Sequence, residues 1–560
     1  MKRLTTTLAL LLISLWVVIP ANAAVPQAQL FRDLNPGPSG SDFGSFISLD
    51  ERLWGFGFTP SAGYEPLSIG PGSSVNIGDT VPGPDSSGGG NGIRFGDVIY
   101  FSASDDTHGT ELWKFDGVSF DLVEDINPGP NSSYPSGFTI LGDHVYFMAE
   151  TLAAGAELFR VGAGGVDLVA DIEPGANGSY PSSLVEMGGH IYFQASNSTV
   201  GPELWRTDGT ITNLVADLLP GVDGSYPYNL TPVGDTVFMV AYSAANGTEL
   251  FKTTGVGVSL VSDIEPGGGD SYPGGLTPFG NRVVFYASEL AGGSEPWIAD
   301  GSGATRIADI VPGPEGSNPA YFTEVGGQLV FVAHTEETGP ELWSSTGSGA
   351  SLLSDLIPGE DGSSPYNLVE MDGQLYFLAL RPGLGYEPMV LDGQTPKLIR
   401  DLLPGPGSSN SSQFTKHGNS IIFAADDGTH GYEPWRLFPD REVKVKLVGK
   451  RTGVSRKGFA ALKLTCPVSE ANGPCSVKVT VTTRKKVKVG KKRKKLVLSK
   501  KSMPVLPGRT GTARITFSKS EIALLNRSGA ARKVTVTIKA SDRAGNRKTT
   551  RQKFTLGRPA

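Results

Sequence analysis

The sequence predicts an all-β protein, a multi-bladed β-propeller of 46-residue repeats followed by a separate β-sandwich. Three observations carry that prediction. The 560 residues include 74 Gly and 40 Pro with little helical periodicity, which suits many short strands joined by turns. One turn sequence recurs nine times at a fixed spacing. The charge, −7 overall, changes sign near residue 440: residues 441–560 hold 33 Lys+Arg against 4 Asp+Glu, and the preceding 440 hold 16 against 52. So abrupt a change marks two domains with different partners, or two domains attracted to each other.

In chain order, Lys2 and Arg3 precede an apolar run from Leu8 to Ile19 and the small-residue stretch Ala21-Asn22-Ala23. That pattern predicts a signal peptide over residues 1–23, cleaved near Ala23. No later run approaches the ~20 apolar residues a bilayer core requires. The expected location is secreted or cell-surface, with no integral membrane span.

Residues 24–439 carry the repeats. The turn Asp-x-x-Pro-Gly begins at Asp33, Asp79, Asp125, Asp171, Asp217, Asp263, Asp309, Asp355 and Asp401. A Gly-x-Glu frame runs in step, with glutamates from Glu65 and Glu111 through to Glu433, and a serine stands eight residues after each Asp, from Ser41 to Ser409. Each unit reads as four short strands, as in 183–186, 190–195, 203–206 and 213–216. Four strands at a period near 40–50 residues is the pattern of a propeller blade. Two places after each Glu stands Leu67, Trp113, Phe159, Trp205, Phe251, Trp297, Trp343, Met389 or Trp435, read as core between blades rather than as exposed stacking aromatics. A small residue recurs at Ala103, Ala149, Ala195 and their equivalents, with Gly57 in the first copy, where sheets must approach closely.

The array opens with one strand, 29–32, and ends with three, finishing at Glu433-Pro434-Trp435. Joined, these fragments complete a blade and remove exposed edges. The count is then nine blades. An eight-bladed ring with a degenerate first copy, where Gly55 replaces the aromatic, is the alternative.

The stretches Glu111-Leu112-Trp113-Lys114-Phe115-Asp116-Gly117 and Glu203-Leu204-Trp205-Arg206-Thr207-Asp208-Gly209-Thr210 resemble the bacterial family named for its ELWxxDGT repeat. Glu-Pro replaces Glu-Leu at Glu65, Glu295, Glu387 and Glu433, and Asp-Gly-Thr is complete in place only at Asp208. The resemblance implies a propeller-like exported protein and no particular reaction.

The repeated aspartates are expected to accept backbone N–H groups in their Pro-Gly turns, with the serine hydroxyl eight residues on as a further donor. The glutamate is expected to fix the start of its strand. Calcium is the alternative use of the acidic loops, with Asp263, Glu265, Asp270, Asp355 and Asp361 as candidate ligands, because calcium takes 6–8 oxygens; no other cofactor is predicted. No G-x-S-x-G, H-E-x-x-H or phosphate-loop motif occurs, and the six histidines are dispersed. Asp106 with His108 and Asp427 with His430 read as turn residues, and no catalytic residue is predicted.

Residues 440–560 lose the 46-residue frame. Strands are expected at 443–447, 459–464, 477–481, 496–498, 513–517, 534–538 and 553–556, as in a β-sandwich. Ser518-Lys519-Ser520-Glu521 is a capping box before Ile522-Ala523-Leu524-Leu525. Asp542-Arg543-Ala544-Gly545-Asn546 is similar to the last hairpin of bacterial Ig-like surface domains, which implies an Ig-like β-sandwich. Cys466 and Cys475, the two cysteines of the chain, are read as one disulfide because the expected compartment is oxidising; two free thiols are the alternative. The run 484–495 reads as a basic hairpin, with Arg484 at its start and Lys485, Lys486, Lys488, Lys491, Lys492, Arg493, Lys494 and Lys495 along it, suited to anionic envelope polymers, to the acidic array, or simply to water. Nucleic acid is disfavoured by the export signal and the lack of interleaved aromatics.

Together these features point to an exported, non-enzymatic binding or scaffold protein of the bacterial envelope or extracellular space. Its basic domain would act as an electrostatic retention module, with envelope polymers, surface glycans or surface proteins as partners. The alternative is an exported polysaccharide hydrolase or lyase with its site in the propeller channel.

Overall fold

The computed structural model describes residues 26–438 except 71–73, 372 and 419, and residues 446–559 except 450, 456–457, 466–474, 490–491, 506–509 and 542–546. The predicted leader lies outside the described residues, as does Cys466 of the expected Cys466–Cys475 bridge. Two compact units separate, one made of Val25–Val390 and Pro396–Arg441 and the other including Glu442–Ala560.

The first unit is all-β. Nine four-stranded antiparallel sheets occur among the described residues of this unit, eight with strands that follow one another in sequence order and a ninth that joins the two ends of the array. In one copy the strands are Ser182–Met187, His190–Ala195, Glu203–Thr207 and Thr212–Ala216. Its second and third strands set Phe193 opposite Trp205 and Ala195 opposite Glu203. The same register recurs at Phe101–Trp113 with Ala103–Glu111, and at Phe423–Trp435 with Ala425–Glu433. The large apolar series is core: Leu67, Met389, Phe251 and Trp435 are buried, and the partly buried Trp205 and Trp343 pack on neighbouring clusters. The recurring small residue stands opposite the buried glutamate of the next strand. Where it is Gly57, a Cβ would lie 2.9 Å from the ring of Phe43, which follows the loop held by Glu433 of the neighbouring sheet.

The first copy also makes a complete sheet, from Gly44–Leu49, Arg52–Thr59, Gly63–Ile69 and Val75–Ile77. Gly55 is required there, because a Cβ would lie 2.3 Å from the Gly44 carbonyl oxygen and 2.9 Å from the Phe43 ring. Phe43 occupies the space that a phenylalanine fills in seven of the other copies and Met239 in the eighth.

The two ends of the array meet in one sheet. Gln27–Leu30 pairs antiparallel with Tyr432–Phe438, Gln27 opposite Phe438 and Leu30 opposite Trp435, two residues earlier than the sequence pattern indicates. The first strand of each sheet packs beside the first strand of the next, and the series returns on itself where Ser412–His417 meets Gly44–Leu49.

At that seam His417 occupies a position that is apolar in every other copy, for example Met371 and Leu49. Its buried ring accepts or donates a 2.9 Å bond with Ser48 Oγ across the seam, depending on tautomer. Burial, with Arg436 second, holds its pKa below the usual 6.5. The unfolded chain therefore takes up this proton before the folded one, so stability from the site is full above pH ~6.5 and falls as the pH drops through the depressed folded value. His417→Met should flatten the fall in melting temperature as the pH drops below about 6.5; an unchanged slope would show that His417 has no part in it.

The second unit contains a three-stranded sheet, Lys446–Leu447, Phe459–Thr465 and Thr510–Thr516, and a five-stranded one. The latter includes Arg451–Val454, which the sequence pattern did not indicate and which pairs parallel to Arg547–Pro559. Both sheets feed one core through Leu462, Leu464, Ile515, Val479, Val536 and Phe554. The expected capping box forms at Ser518 and Glu521 and starts a nine-residue helix, Lys519–Arg527, with Leu525 buried.

Candidate functional site

Nine buried glutamates organise one end of the array. Glu111, at the third strand of its sheet, accepts the backbone N–H groups of Ile126 (2.9 Å) and Ser133 (3.0 Å) and the Ser133 hydroxyl (2.6 Å). Those donors belong to the crossover to the next sheet. Ser133 N also donates to the Thr110 carbonyl, and its own carbonyl accepts from Glu150 N in the neighbouring sheet. The serine thus ties two sheets together, and the carboxylate satisfies loop donors that would otherwise be buried without partners.

Seven of the nine serines donate their hydroxyl to the glutamate, at 2.5–2.7 Å. The pattern includes the seam, where Glu433 receives Ser41 Oγ and Asn35 N. The serine expected to serve the turn aspartate therefore serves the glutamate instead. A carboxylate reaching inward from a strand meets the serine hydroxyl, whereas the aspartate stays with its own turn, as in Gly129 N to Asp125 (3.1 Å) and Gly267 N to Asp263 (3.1 Å).

Burial raises the pKa of all nine glutamates, with the loop hydrogen bonds opposing it. Glu387 goes furthest, to about 7. Its serine, Ser409, sets its hydroxyl 3.3 Å from the Tyr386 carbonyl and 2.9 Å from Ser411 Oγ.

The calcium candidates are engaged separately. Asp263 holds its turn, Glu265 accepts Leu290 N (2.7 Å), and Asp270 accepts Thr248 N (2.6 Å) and the Tyr272 hydroxyl (2.9 Å). Asp355 and Asp361 lie in the loop held by Glu341. Among the described residues no group of three or more His, Cys, Asp or Glu side chains could hold a metal ion.

His108 pairs with Asp105 (2.7 Å), not with the neighbouring Asp106, and His430 pairs with Asp427 (2.8 Å) at the equivalent place. In both turns the aspartate also accepts the histidine's backbone N–H. These are turn locks at the same end as the crossovers.

Sequence reasoning missed the tyrosines of this end. Tyr134, Tyr180, Tyr226 and Tyr272 follow the serine in four successive copies, all exposed. Tyr226, Tyr228 and Tyr242 line a groove of about 410 Å³ with Leu219, Asp223 and Thr248. Tyr272, Tyr286 and Asp270 lie near enough to Tyr228 to help burial raise its pKa.

In the second unit Val487–Val489 pairs with Lys492–Lys494, so the basic hairpin forms. Lys485, Lys486, Lys488, Lys492, Arg493, Lys494 and Lys495 are exposed, and Lys491 lies outside the described residues. Beside the hairpin's base is a groove of about 850 Å³ lined by Arg484, Lys485, Arg532, Lys533 and Arg558. No carboxylate lines it. The Arg484 N–H donates to the Lys533 carbonyl, fixing those two strands side by side. Three of these five cations escaped the sequence reading because they come from stretches far from the basic run.

No family model matches the chain, and no curated protein matches it. Among solved structures it is similar to a prolyl endopeptidase (13% identity, TM-score 0.35, covering 68% of this chain and 53% of that one), so it spans about half that enzyme's length. It is also similar to an ancestral GH74 enzyme (11%, TM-score 0.30, 94% and 78% covered) and to a Trypanosoma rangeli sialidase (10%, TM-score 0.24, 96% and 91% covered).

Proposed function

We propose that the protein is an exported, non-enzymatic binding or scaffold protein of the bacterial envelope or extracellular space. In this reading the first unit is a closed nine-bladed propeller of the ELWxxDGT-repeat type that presents a binding face. The second is an Ig-like domain that retains the protein on anionic polymer. The observation carrying the retention role is the groove of five cations with no carboxylate among its lining residues, beside an exposed lysine-rich hairpin. Like charges so gathered repel one another unless an anion lies between them.

Binding of the full chain to heparin, used as a polyanion probe, should weaken steeply between 50 and 500 mM NaCl, since screening lengths shrink from above ~10 Å to a few ångströms. Arg532→Glu with Lys533→Glu should weaken it more than about tenfold at 150 mM, where the screening length is ~8 Å. Salt-insensitive binding would overturn the electrostatic role.

A further inference from the structure

We infer that the exposed tyrosines on the crossover loops form a repeated binding surface for a neutral polysaccharide. The inference rests on the array being a binding face and is independent of retention by the basic unit.

The residue nine places after each turn aspartate has a positive φ in every copy, from 43° to 53°. The chain there must bend so that the preceding serine meets its glutamate. Asp42, Gly88, Asn318, Ser364 and Asn410 are short residues, and Gly, Asn and Asp in particular tolerate that backbone. Tyr134, Tyr180, Tyr226 and Tyr272 have no such local relief, and their side chains remain 57%, 61%, 56% and 59% exposed. Folding gains no backbone comfort from them and covers less than half of each, although the Tyr272 hydroxyl donates to Asp270. Four bulky aromatics held in a strained conformation with their rings in water are a feature that folding does not explain, and such outliers gather at binding sites.

The surface also shows what it suits. Tyrosine offers a flat apolar face and a polar tip at low cost in side-chain freedom. Tyr226, Tyr228 and Tyr242 already form a groove, with Asp223 and Thr248 as polar partners along it, and Asp270 and Tyr272 adjoin it. A pyranose ring has the matching features, C–H faces to lie on the rings and hydroxyls to bond the polar groups. Successive copies repeat the tyrosine at one phase, so a ligand with its own repeat can engage several at once, which multiplies weak contacts. The acidic excess of the first 440 residues, 52 acids against 16 bases, repels a polyanion, and only Asp223 among the groove's lining residues is charged, a lining that suits an uncharged polymer better than a polycation.

The test uses the full chain in affinity electrophoresis through mannan, arabinogalactan, xylan and dextran, with heparin as the polyanion control. At least one neutral polysaccharide should retard the wild type. Tyr134→Asn, Tyr180→Asn, Tyr226→Asn and Tyr272→Asn, which install the side chain that Asn318 and Asn410 carry at this place in other copies, should each weaken retardation severalfold. Together they should weaken it at least 100-fold. The melting temperature should hold or rise, and heparin binding should not change. No retardation of the wild type by any of the four, or undiminished retardation of the quadruple variant, would overturn the inference. New reducing ends in the retarding polymer would leave the tyrosine site standing and remove the non-enzymatic reading. Salt-insensitive heparin binding would remove retention alone.

Discussion

Glu341→Ala should cost the array about 3–5 kcal/mol, the usual range when one partner of a buried, hydrogen-bonded charge arrangement is removed. Glu341 accepts four bonds, from Leu356 N, Ile357 N, Ser363 N and Ser363 Oγ, at 2.7–3.1 Å. Alanine strands all four donors, of which the two of Ser363 are buried and those of Leu356 and Ile357 part-buried. The effect should appear as a lower denaturant midpoint and as new protease cleavage within residues 355–364. Glu341→Gln should lose less, because it keeps an acceptor oxygen. A loss for Glu341→Ala no larger than ~0.5 kcal/mol, the range of ordinary surface changes, would show that the loop stands without its anchor.

Of the nine glutamates, Glu387 should show the largest pH dependence. With a pKa near 7 against 4.5 for an ordinary glutamate, the folded state holds this proton after the unfolded chain has released it. Its share of stability is full below about pH 4.5 and is lost as the pH rises through about 7. Glu387→Gln should flatten the decline in melting temperature across that window.

The second large effect is expected from deleting residues 26–32. This removes Gln27–Leu30 and leaves the seam sheet with three strands and the edge of Tyr432–Phe438 unpaired. Open, flat edges recruit other chains. The deletion should run as dimers and larger species in size-exclusion chromatography with light scattering. A monomeric deletion with the wild-type melting temperature would show that the seam is dispensable.

The sheets were legible in the sequence because the fixed frame places every strand. Strands expected at 190–195 and 203–206 appear at His190–Ala195 and Glu203–Thr207. The first copy, ambiguous because of Gly55, folds fully because Phe43 fills its core from the preceding loop. The serine's partner was misread because both acidic residues recur at the same period; the constant 22-residue step from Glu111 to Ser133 and from Glu341 to Ser363 was the signal available. The positive-φ position was hidden by tyrosine in four copies, although Asp42, Asn318 and Asn410 mark it. The cationic groove was not legible, since Arg484, Arg532 and Arg558 meet only through strand pairing, and periodicity within one stretch carries no trace of that.

The seam also sets an order of events in time. Gln27 and Phe438 pair across roughly 410 residues, and at about 5–20 residues per second the partner of the first strand is synthesised some 20–80 s after it. Until then every partial array has an unmated strand at one end and a growing edge at the other. The seam sheet therefore cannot be completed before the whole array has been made, and it depends on a contact of very long range, the kind that forms slowly. Once made, that contact pairs both ends of the array in one sheet.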